Sequence, residues 1–464
     1  MLIAAALFAA TAMLWMGVAA RRASLLGMCL LLVGVGYVLG HDAWHFKSLT
    51  LDRLLLLGIV GVVATRIWRG QIRLTSPTGA DWAIGVVLAW LSLSCITHWP
   101  DNLLEGQSAP LFRLVVSFWV PAFIYLLLRH ERFDSGKVDL LLKAIAGLGV
   151  YLAITALLET LGLWSLVFPR YIADPELGLH FGRARGPGLN SVSLGVYLGV
   201  AAVATWLLIP RSSRWMQLFW GAAFALMCLG VLMTYTRSTW IGLALAGLMI
   251  VTLQLPRRVR WPMFGVAVVA GGALLITAKG ALVSLEREDS ANVSAHSVQQ
   301  RVAFAYVSYK MIVDHPLQGV GFGRFVDKKL PYLTDRSQKF ELESLRELEH
   351  HNTFLSLLTE TGMMGLGAYL AVLLSMGAAG WRLAHDGQEK SELRPLGLLA
   401  IGALCVYVPS AIFHDLTLVH SDQWLLFLAG GSAVGAMMNR GELPQVNPVE
   451  QTSTNPSLPW ATAT

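Results

Sequence analysis

The chain has 464 residues and a mean hydropathy of +0.57; 55% of its residues are hydrophobic and 14% are charged. Soluble domains carry roughly 25% charged residues, so this composition excludes a soluble globular protein and predicts an integral membrane protein. The net charge of +6 gives no reason to predict a nucleic-acid partner, because most basic residues stand in short loops between apolar runs.

Apolar runs that could cross a membrane follow one another along the chain. A hydrocarbon core of about 30 Å needs a helix of roughly 20 residues, and about thirteen runs approach that length, or about twelve if the first does not span. The predicted fold class is therefore all-α, a polytopic transmembrane helical bundle surrounded by membrane lipids. The runs are 2–20, 23–39, 51–68, 82–99, 114–128, 138–161, 192–209, 216–235, 240–255, 263–283, 354–381, 396–413 and 424–438.

Basic residues are concentrated in alternate connections, and this pattern predicts the orientation of the bundle. Lys and Arg are retained in cytoplasmic loops. The other alternate connections, which include the loops around Arg183, Arg237 and His351, are therefore predicted to lie on the outer side of the membrane. The residues that define the inner side are Arg21, Arg22, Arg66, Arg69, Arg73, Arg129, Arg132, Lys137, Arg211, Arg214, Arg257, Arg258, Arg260, Lys390 and Arg394.

One polar segment, residues 284–352, is long enough to form a loop with helices of its own, and we call it the large loop. Val302, Tyr306, Tyr309 and Val313 stand three and four positions apart, which predicts an amphipathic helix. The alternating glycines of 317–323 predict a turn whose backbone N–H groups approach a ligand closely. The remaining regions are an N-terminal transmembrane region (1–283), a C-terminal transmembrane region (353–440) and a disordered cytoplasmic tail (441–464).

At the end of the large loop stands the tetrad His350-His351-Asn352-Thr353, directly before an apolar run. An imidazole titrates near neutral pH, so either histidine could act as a general base at the membrane surface. Alternatively, the pair could cap the following helix or contact the headgroup layer. Glu360 could orient His351 or satisfy a neighbouring Arg.

Four arginines stand on the outer side against the trend of the basic residues: Arg183 and Arg185 beside glycines, Arg237 in a very short connection, and Arg301 in the large loop. A guanidinium group binds phosphate through two parallel N–H donors, which predicts an anion site. The alternatives are a solvated loop for Arg183 and Arg185, snorkelling for Arg237, and an ion pair with Glu286 or Glu288 for Arg301. The loop holding His414, Asp415, His420 and Asp422 suggests either a metal site or, preferably, a solvated connection.

Five segments, taken together, resemble the bacterial O-antigen ligase and O-antigen polymerase superfamily of membrane glycosyltransferases. Their order along the chain and their common side carry the resemblance, which covers about residues 51–438. The segments are residues 183–190; Thr236-Arg237-Ser238; Arg301 with the helix after it; residues 315–323; and residues 351–355 with Glu360-Thr361-Gly362 and Gly365.

The resemblance implies transfer of a glycan from an undecaprenyl-diphosphate carrier to an acceptor hydroxyl, at the periplasmic face of the bacterial inner membrane, with inversion and without a metal or other cofactor. Arg183 or Arg185 and Arg237 would bind the diphosphate, and Arg301 would bind the donor or support the loop. His351 beside Asn352 would be the base, while the resemblance assigns no counterpart to His350, which stays a second candidate from its chemistry alone.

The acceptor stays open at this stage. Lipid A-core would make the protein a ligase, a second lipid-linked glycan would make it a polymerase, and a protein side chain is a third choice. A transporter of lipid-linked sugars is the alternative from another class. Transporters commonly show internal repeats around a midplane site, whereas the polar groups of this chain gather on one side.

Overall fold

The computed structural model describes residues 23–41, 45–46, 49–72, 75–100, 109–255, 258–263, 265–266, 290–335, 341–385, 391–419 and 421–438. Within these ranges the chain is almost entirely helical, which confirms the predicted all-α class. The strands found there are two-residue pieces, β1 (His45–Phe46) and β2 (Leu49–Thr50), which pair in antiparallel register.

Every predicted apolar run that lies in the described residues is a helix. The helices of these runs are α1 (Leu25–Leu39), α2 (Leu51–Trp68), α3 (Gly79–Thr97), α4 (Pro110–Arg129), α5 (Ser135–Thr160), α6 (Ser191–Leu208), α7 (Arg214–Met233), α8 (Arg237–Gln254), α11 (Thr353–His385), α12 (Arg394–Phe413) and α13 (Trp424–Met438). Eight of them, α3 to α8, α11 and α12, are long and apolar enough to span a membrane, while α1 and α13 are shorter apolar helices. The chain is thus a multi-pass membrane protein. Run 2–20, most of run 263–283 and the tail 441–464 lie outside the described residues.

Short polar residues start several of these helices. The side chain of Asn190 accepts hydrogen bonds from the first N–H groups of α6, and that of Asp134 does the same for α5. Thr78 and Asp81 form a reciprocal capping box at the start of α3. Each cap satisfies backbone donors that have no partner inside the helix.

Helix α6 is the centre of the bundle, because almost all of its residues are buried. It packs against α5, α7, α8 and α12. Its glycines make this close approach possible: a Cβ added at Gly195 would stand 2.7 Å from Thr239, and one at Gly199 would stand 2.9 Å from Val406. Small residues at such contacts allow membrane helices to pack closely.

The large loop contains α9 (Ser290–Asp314), α10 (Phe325–Lys328) and two short 3-10 turns. The predicted amphipathic helix is present, and Val302, Tyr309 and Val313 form an exposed apolar face on it. A different set of side chains on α9, which includes Phe304 and Met311, is buried against α10 and the 3-10 turns. The small core of the loop consists of Ala303, Phe304, Val307, Met311, Val320, Phe325, Leu333, Leu342 and Leu345.

Helix α11 is broken at Gly362, where φ is 67° and ψ is −168°. The glycine-rich loop 316–321 fills the break: the N–H groups of Val320 and Gly321 donate to the carbonyls of Thr359 and Glu360 at 3.1 and 2.8 Å. In return, Met363 N–H donates to the carbonyl of Pro316 at 2.9 Å. The prediction that these loop amides approach a ligand is therefore wrong, since they complete a helix instead.

Replacing Gly362 with Ala should destabilise the protein, because a Cβ there collides with the Leu317 carbonyl and the backbone has positive φ. A residue held in such strained geometry costs about 1–3 kcal/mol. Gly367→Ala, on the same helix but with no neighbour within 4 Å of its Cβ, is the matched control and should be neutral. Thermal unfolding of the detergent-solubilised protein by tryptophan fluorescence separates the two, and equal midpoints would contradict the role of the break.

Candidate active site

Exposed basic side chains from four separate parts of the chain meet at the end of the bundle where α6, α8 and α11 begin. Arg183 lies in the loop before α6, Arg237 is the first residue of α8, Arg301 lies on α9, and His351 precedes α11. These residues lie near enough to influence one another: the charge of Arg237 lowers the pKa of Arg301, and the charge of Arg301 lowers the pKa of His351. We call these residues, together with His180 and His414, the cationic cluster.

The three histidines of the cationic cluster are held in the neutral form. Burial, followed by the charge of Arg183, lowers the pKa of His180 to about 4. Desolvation by the neighbouring protein groups, followed by the charge of Arg301, lowers the pKa of His414 to about 3 and also lowers the pKa of His351. A neutral imidazole has a ring nitrogen that can take the proton of a hydroxyl as that hydroxyl reacts.

Arg183 and Arg301 carry charge that no carboxylate of the described residues neutralises. Across the described ranges, no carboxylate lies within ion-pair distance of Arg183 or Arg301, and the Arg301 guanidinium instead lies over the Phe413 ring, 5.7 Å from its centroid. Burial, with a contribution from Arg237, lowers the pKa of Arg301. An uncompensated patch of this kind attracts an anion.

The two histidines of the tetrad have different environments. His350 is 3% exposed and its ring packs at a tilt against Phe325, with 4.0 Å between the ring centroids, while its Nε2 lies 3.0 Å from the Ser308 hydroxyl. Burial lowers its pKa to about 3. His351 is exposed and meets the Phe304 ring edge-on. Only His351 is therefore accessible to a ligand.

The other two residues of the tetrad support the backbone. The side-chain oxygen of Asn352 accepts a hydrogen bond from Leu355 N–H at 2.9 Å, so Asn352, rather than either histidine, caps α11. The hydroxyl of Thr353 donates to the carbonyl of His414 and accepts from the amide of Leu416. The start of α11 is thereby tied to the loop that carries His414.

Arg185 is fully buried, in contrast to its exposed neighbour Arg183. Its guanidinium donates to backbone carbonyls, including those of Ile172 at 2.8 Å and Asp174 at 2.5 Å, and lies over the Phe181 ring. These contacts brace the loop from inside. They give Arg185 a positioning role and leave Arg183 as the arginine of this loop that faces solvent.

Arg113, which sequence reasoning did not select, lies at the centre of a buried network beneath the cluster. Its guanidinium contacts the carboxylates of Glu360 at 2.8 Å and Asp415 at 3.3 Å, and it also donates to the hydroxyls of Ser356 and Thr417. Glu360 thus satisfies a neighbouring arginine, which was one of its two predicted roles. The only signal in the sequence was a charge standing directly before an apolar run.

The loop after α12 is buried, so the expectation of a solvated connection is wrong. Asp415 binds Arg113, and Asp422 accepts a hydrogen bond from the Ser193 hydroxyl. Burial raises the pKa of Asp422 well above its ordinary value. His420 lies outside the described residues. Among those described, no group of three or more His, Cys, Asp or Glu side chains is arranged to hold a metal ion.

Arg113→Met should destabilise the protein by about 3–5 kcal/mol, because two buried carboxylates lose their counter-charge. Arg346→Met is the matched control: Arg346 forms an exposed ion pair with Glu343, and such pairs contribute about 0–1 kcal/mol. Thermal unfolding, together with hydrogen exchange of residues 414–418, measures both effects. An unchanged midpoint and unchanged protection in Arg113→Met would show that the network does not hold this loop.

Two comparisons with known proteins found similar sequences. A family model described as O-antigen ligase matches residues 222–370, which include Arg237, Arg301, His351 and Glu360. The exopolysaccharide production protein ExoQ of Rhizobium meliloti (strain 1021) is 28% identical over 287 residues, which are 58% of this chain and 62% of that protein. The chain thus matches less than two thirds of that relative's length. The two matches confirm that this chain resembles the O-antigen ligase and polymerase superfamily.

Proposed function

We propose that the protein is a membrane glycosyltransferase that moves a glycan from a polyprenyl-diphosphate carrier, undecaprenyl diphosphate in a bacterium, to an acceptor hydroxyl. The site would face the periplasm from the inner membrane, as the distribution of basic loop residues indicates. The observation that carries the proposal is the meeting of Arg183, Arg237 and Arg301 around a neutral His351.

The arginines would bind the diphosphate and stabilise it as it leaves. Negative charge accumulates on the leaving oxygen when the bond to the anomeric carbon breaks, and fixed cations at that point lower the barrier. Each charge-assisted hydrogen bond is worth roughly 1.5–3 kcal/mol. Because Arg183, Arg237 and Arg301 come from three different elements, the folded chain supplies this stabilisation before the substrate arrives.

His351 would be the general base. The acceptor oxygen forms a bond to the anomeric carbon, the carbon–diphosphate bond breaks, and the hydroxyl proton moves to the imidazole. This direct displacement inverts the anomeric configuration. Because the pKa of His351 is lowered, its ring is unprotonated near neutral pH and can receive that proton. Neither task requires a bound metal.

The acceptor distinguishes two versions of this function. The family model that matches is described as O-antigen ligase, which favours lipid A-core as acceptor. The relative from Rhizobium is named for exopolysaccharide production, which favours a polymerase that extends a second lipid-linked glycan. Purified protein supplied with one lipid-linked donor and both acceptors in competition decides between them, and failure to use either acceptor would contradict the proposal.

Replacing His351 with Gln should lower kcat by about 100-fold or more, since a general base contributes roughly 10²–10⁴. His350→Gln is the matched control, because His350 is buried beside Ser308; it should lower thermal stability more than turnover per folded molecule. Retained turnover in His351→Gln would show that this residue is not the base.

The pH dependence of the wild-type protein gives a second test of the base. Because the pKa of His351 is lowered in the protein without substrate, kcat/KM should stay constant near neutral pH and decline only below pH 6.5, the ordinary pKa of histidine.

Arg237→Lys keeps the charge but loses the two-donor geometry that matches a phosphate. We expect kcat/KM for the lipid-linked donor to fall roughly tenfold or more, with little change in the KM for the acceptor. Arg346→Lys is the control, because Arg346 forms an exposed ion pair with Glu343 in the large loop. This variant should leave both constants unchanged. A loss confined to the acceptor would contradict the diphosphate role.

A further inference from the structure

A cavity of mixed polar and apolar lining lies at the C-terminal end of α9, away from the cationic cluster. Its volume is about 850 Å³, and it opens between the C-terminal end of α3 and the large loop. The side chains that matter for its chemistry are His98, Asp314, His315, Gln318, Lys328 and Tyr332.

The cavity offers hydrogen-bonding groups that the protein itself does not use. His315, Gln318 and Lys328 are exposed, and their side chains make no hydrogen bond with any part of the chain that the structure describes. Asp314 accepts a hydrogen bond from the Tyr332 hydroxyl at 2.6 Å through one carboxylate oxygen, which leaves the other oxygen available. Donors, acceptors and an aromatic ring therefore face the same space.

The cavity wall is rigid. Gly319 and Val320 belong to the loop that completes the break in α11, where Val320 N–H donates to Thr359 and a Cβ added at Gly319 would collide with the backbone of Glu360. A wall fixed by backbone hydrogen bonds holds Gln318 in one place relative to the membrane helices. Such preformed sites lose little conformational entropy when a ligand binds.

The charge and polarity of the cavity exclude two classes of ligand. The positive charge of Lys328 is balanced by Asp314, so the cavity lacks the excess of cations that a diphosphate needs. Apolar residues such as Leu317 and Pro331 alternate with charged and hydrogen-bonding side chains in its wall, whereas an acyl or prenyl chain needs a wall that is apolar throughout. A chain of sugar units, with many hydroxyls and apolar ring faces, matches such a mixed surface.

Helix α9 connects this cavity with the cationic cluster. Arg301 lies in the cluster and Asp314 lines the cavity, and a helix rises about 20 Å over that interval at ~1.5 Å per residue. We propose that the cavity binds an extended saccharide chain at sugar units remote from the unit that reacts. This inference rests on the proposed function, and the chain belongs either to the donor or to the acceptor.

Binding of free oligosaccharide tests the inference without turnover. Glycan fragments of graded length, released from the producing organism's own surface polysaccharide, are titrated against the full-length protein and followed by saturation-transfer NMR. In Gln318→Ala/Lys328→Ala, affinity for the longer fragments should fall roughly tenfold, which corresponds to the loss of one or two net hydrogen bonds. Arg346→Ala, which removes an exposed basic residue elsewhere in the large loop, should bind as wild type does.

His351→Gln separates this inference from the proposed function, because it should bind the fragments normally even though it lacks turnover. Turnover assays that vary donor length and acceptor length separately then show which substrate carries the saccharide chain that the cavity binds. In Gln318→Ala/Lys328→Ala, KM should rise only for the long form of that substrate. Undetectable binding to wild-type protein, equal affinity in the double variant, or an equal loss with long and short substrates would each overturn the inference.

Discussion

A buried guanidinium between two carboxylates holds together the end of the bundle that carries the site. Arg113 comes from α4, Glu360 from α11 and Asp415 from the loop after α12. If any one of these elements moved away, it would leave a charge in a low-dielectric interior without a partner, which is strongly unfavourable. The position of His414 depends on this network, because His414 directly precedes Asp415 and its carbonyl binds Thr353. The cationic cluster therefore stands on a rigid polar base inside an apolar bundle.

In two pairs of like residues, one member is buried and supports the backbone while the other is exposed. In the His350 and His351 pair, one ring packs against Phe325 inside the large loop and the other faces solvent. Arg185 braces its loop by donating to backbone carbonyls, whereas Arg183 is exposed. In both pairs the buried member makes hydrogen bonds inside the protein, His350 with Ser308 and Arg185 with backbone carbonyls. The buried residue thus fixes the backbone that positions the exposed residue.

Sequence reasoning predicted the features that depend on local pattern. Hydropathy and length locate the helices, and the side of each loop places Arg237, Arg301 and His351 together. It did not predict the partners of Arg113, because one charge at the start of an apolar run resembles an ordinary interfacial residue. It also failed for the glycine loop, since Val320 pairs with Thr359 through backbone atoms that no side-chain pattern reveals. On α9 the spacing was right, yet tertiary packing selected Phe304 rather than Tyr309 for burial.

The break at Gly362 limits how substrates can reach the site. Because the large loop supplies the backbone partners of Thr359, Glu360 and Met363, lifting this part of the loop from the bundle would leave several amide and carbonyl groups unpaired in an apolar setting, at several kcal/mol for each group. Residues 316–321 of the loop are therefore fixed to the bundle. Under the proposed function, a lipid-bound donor would enter sideways from the bilayer, between helices, while its head group stays at the water boundary.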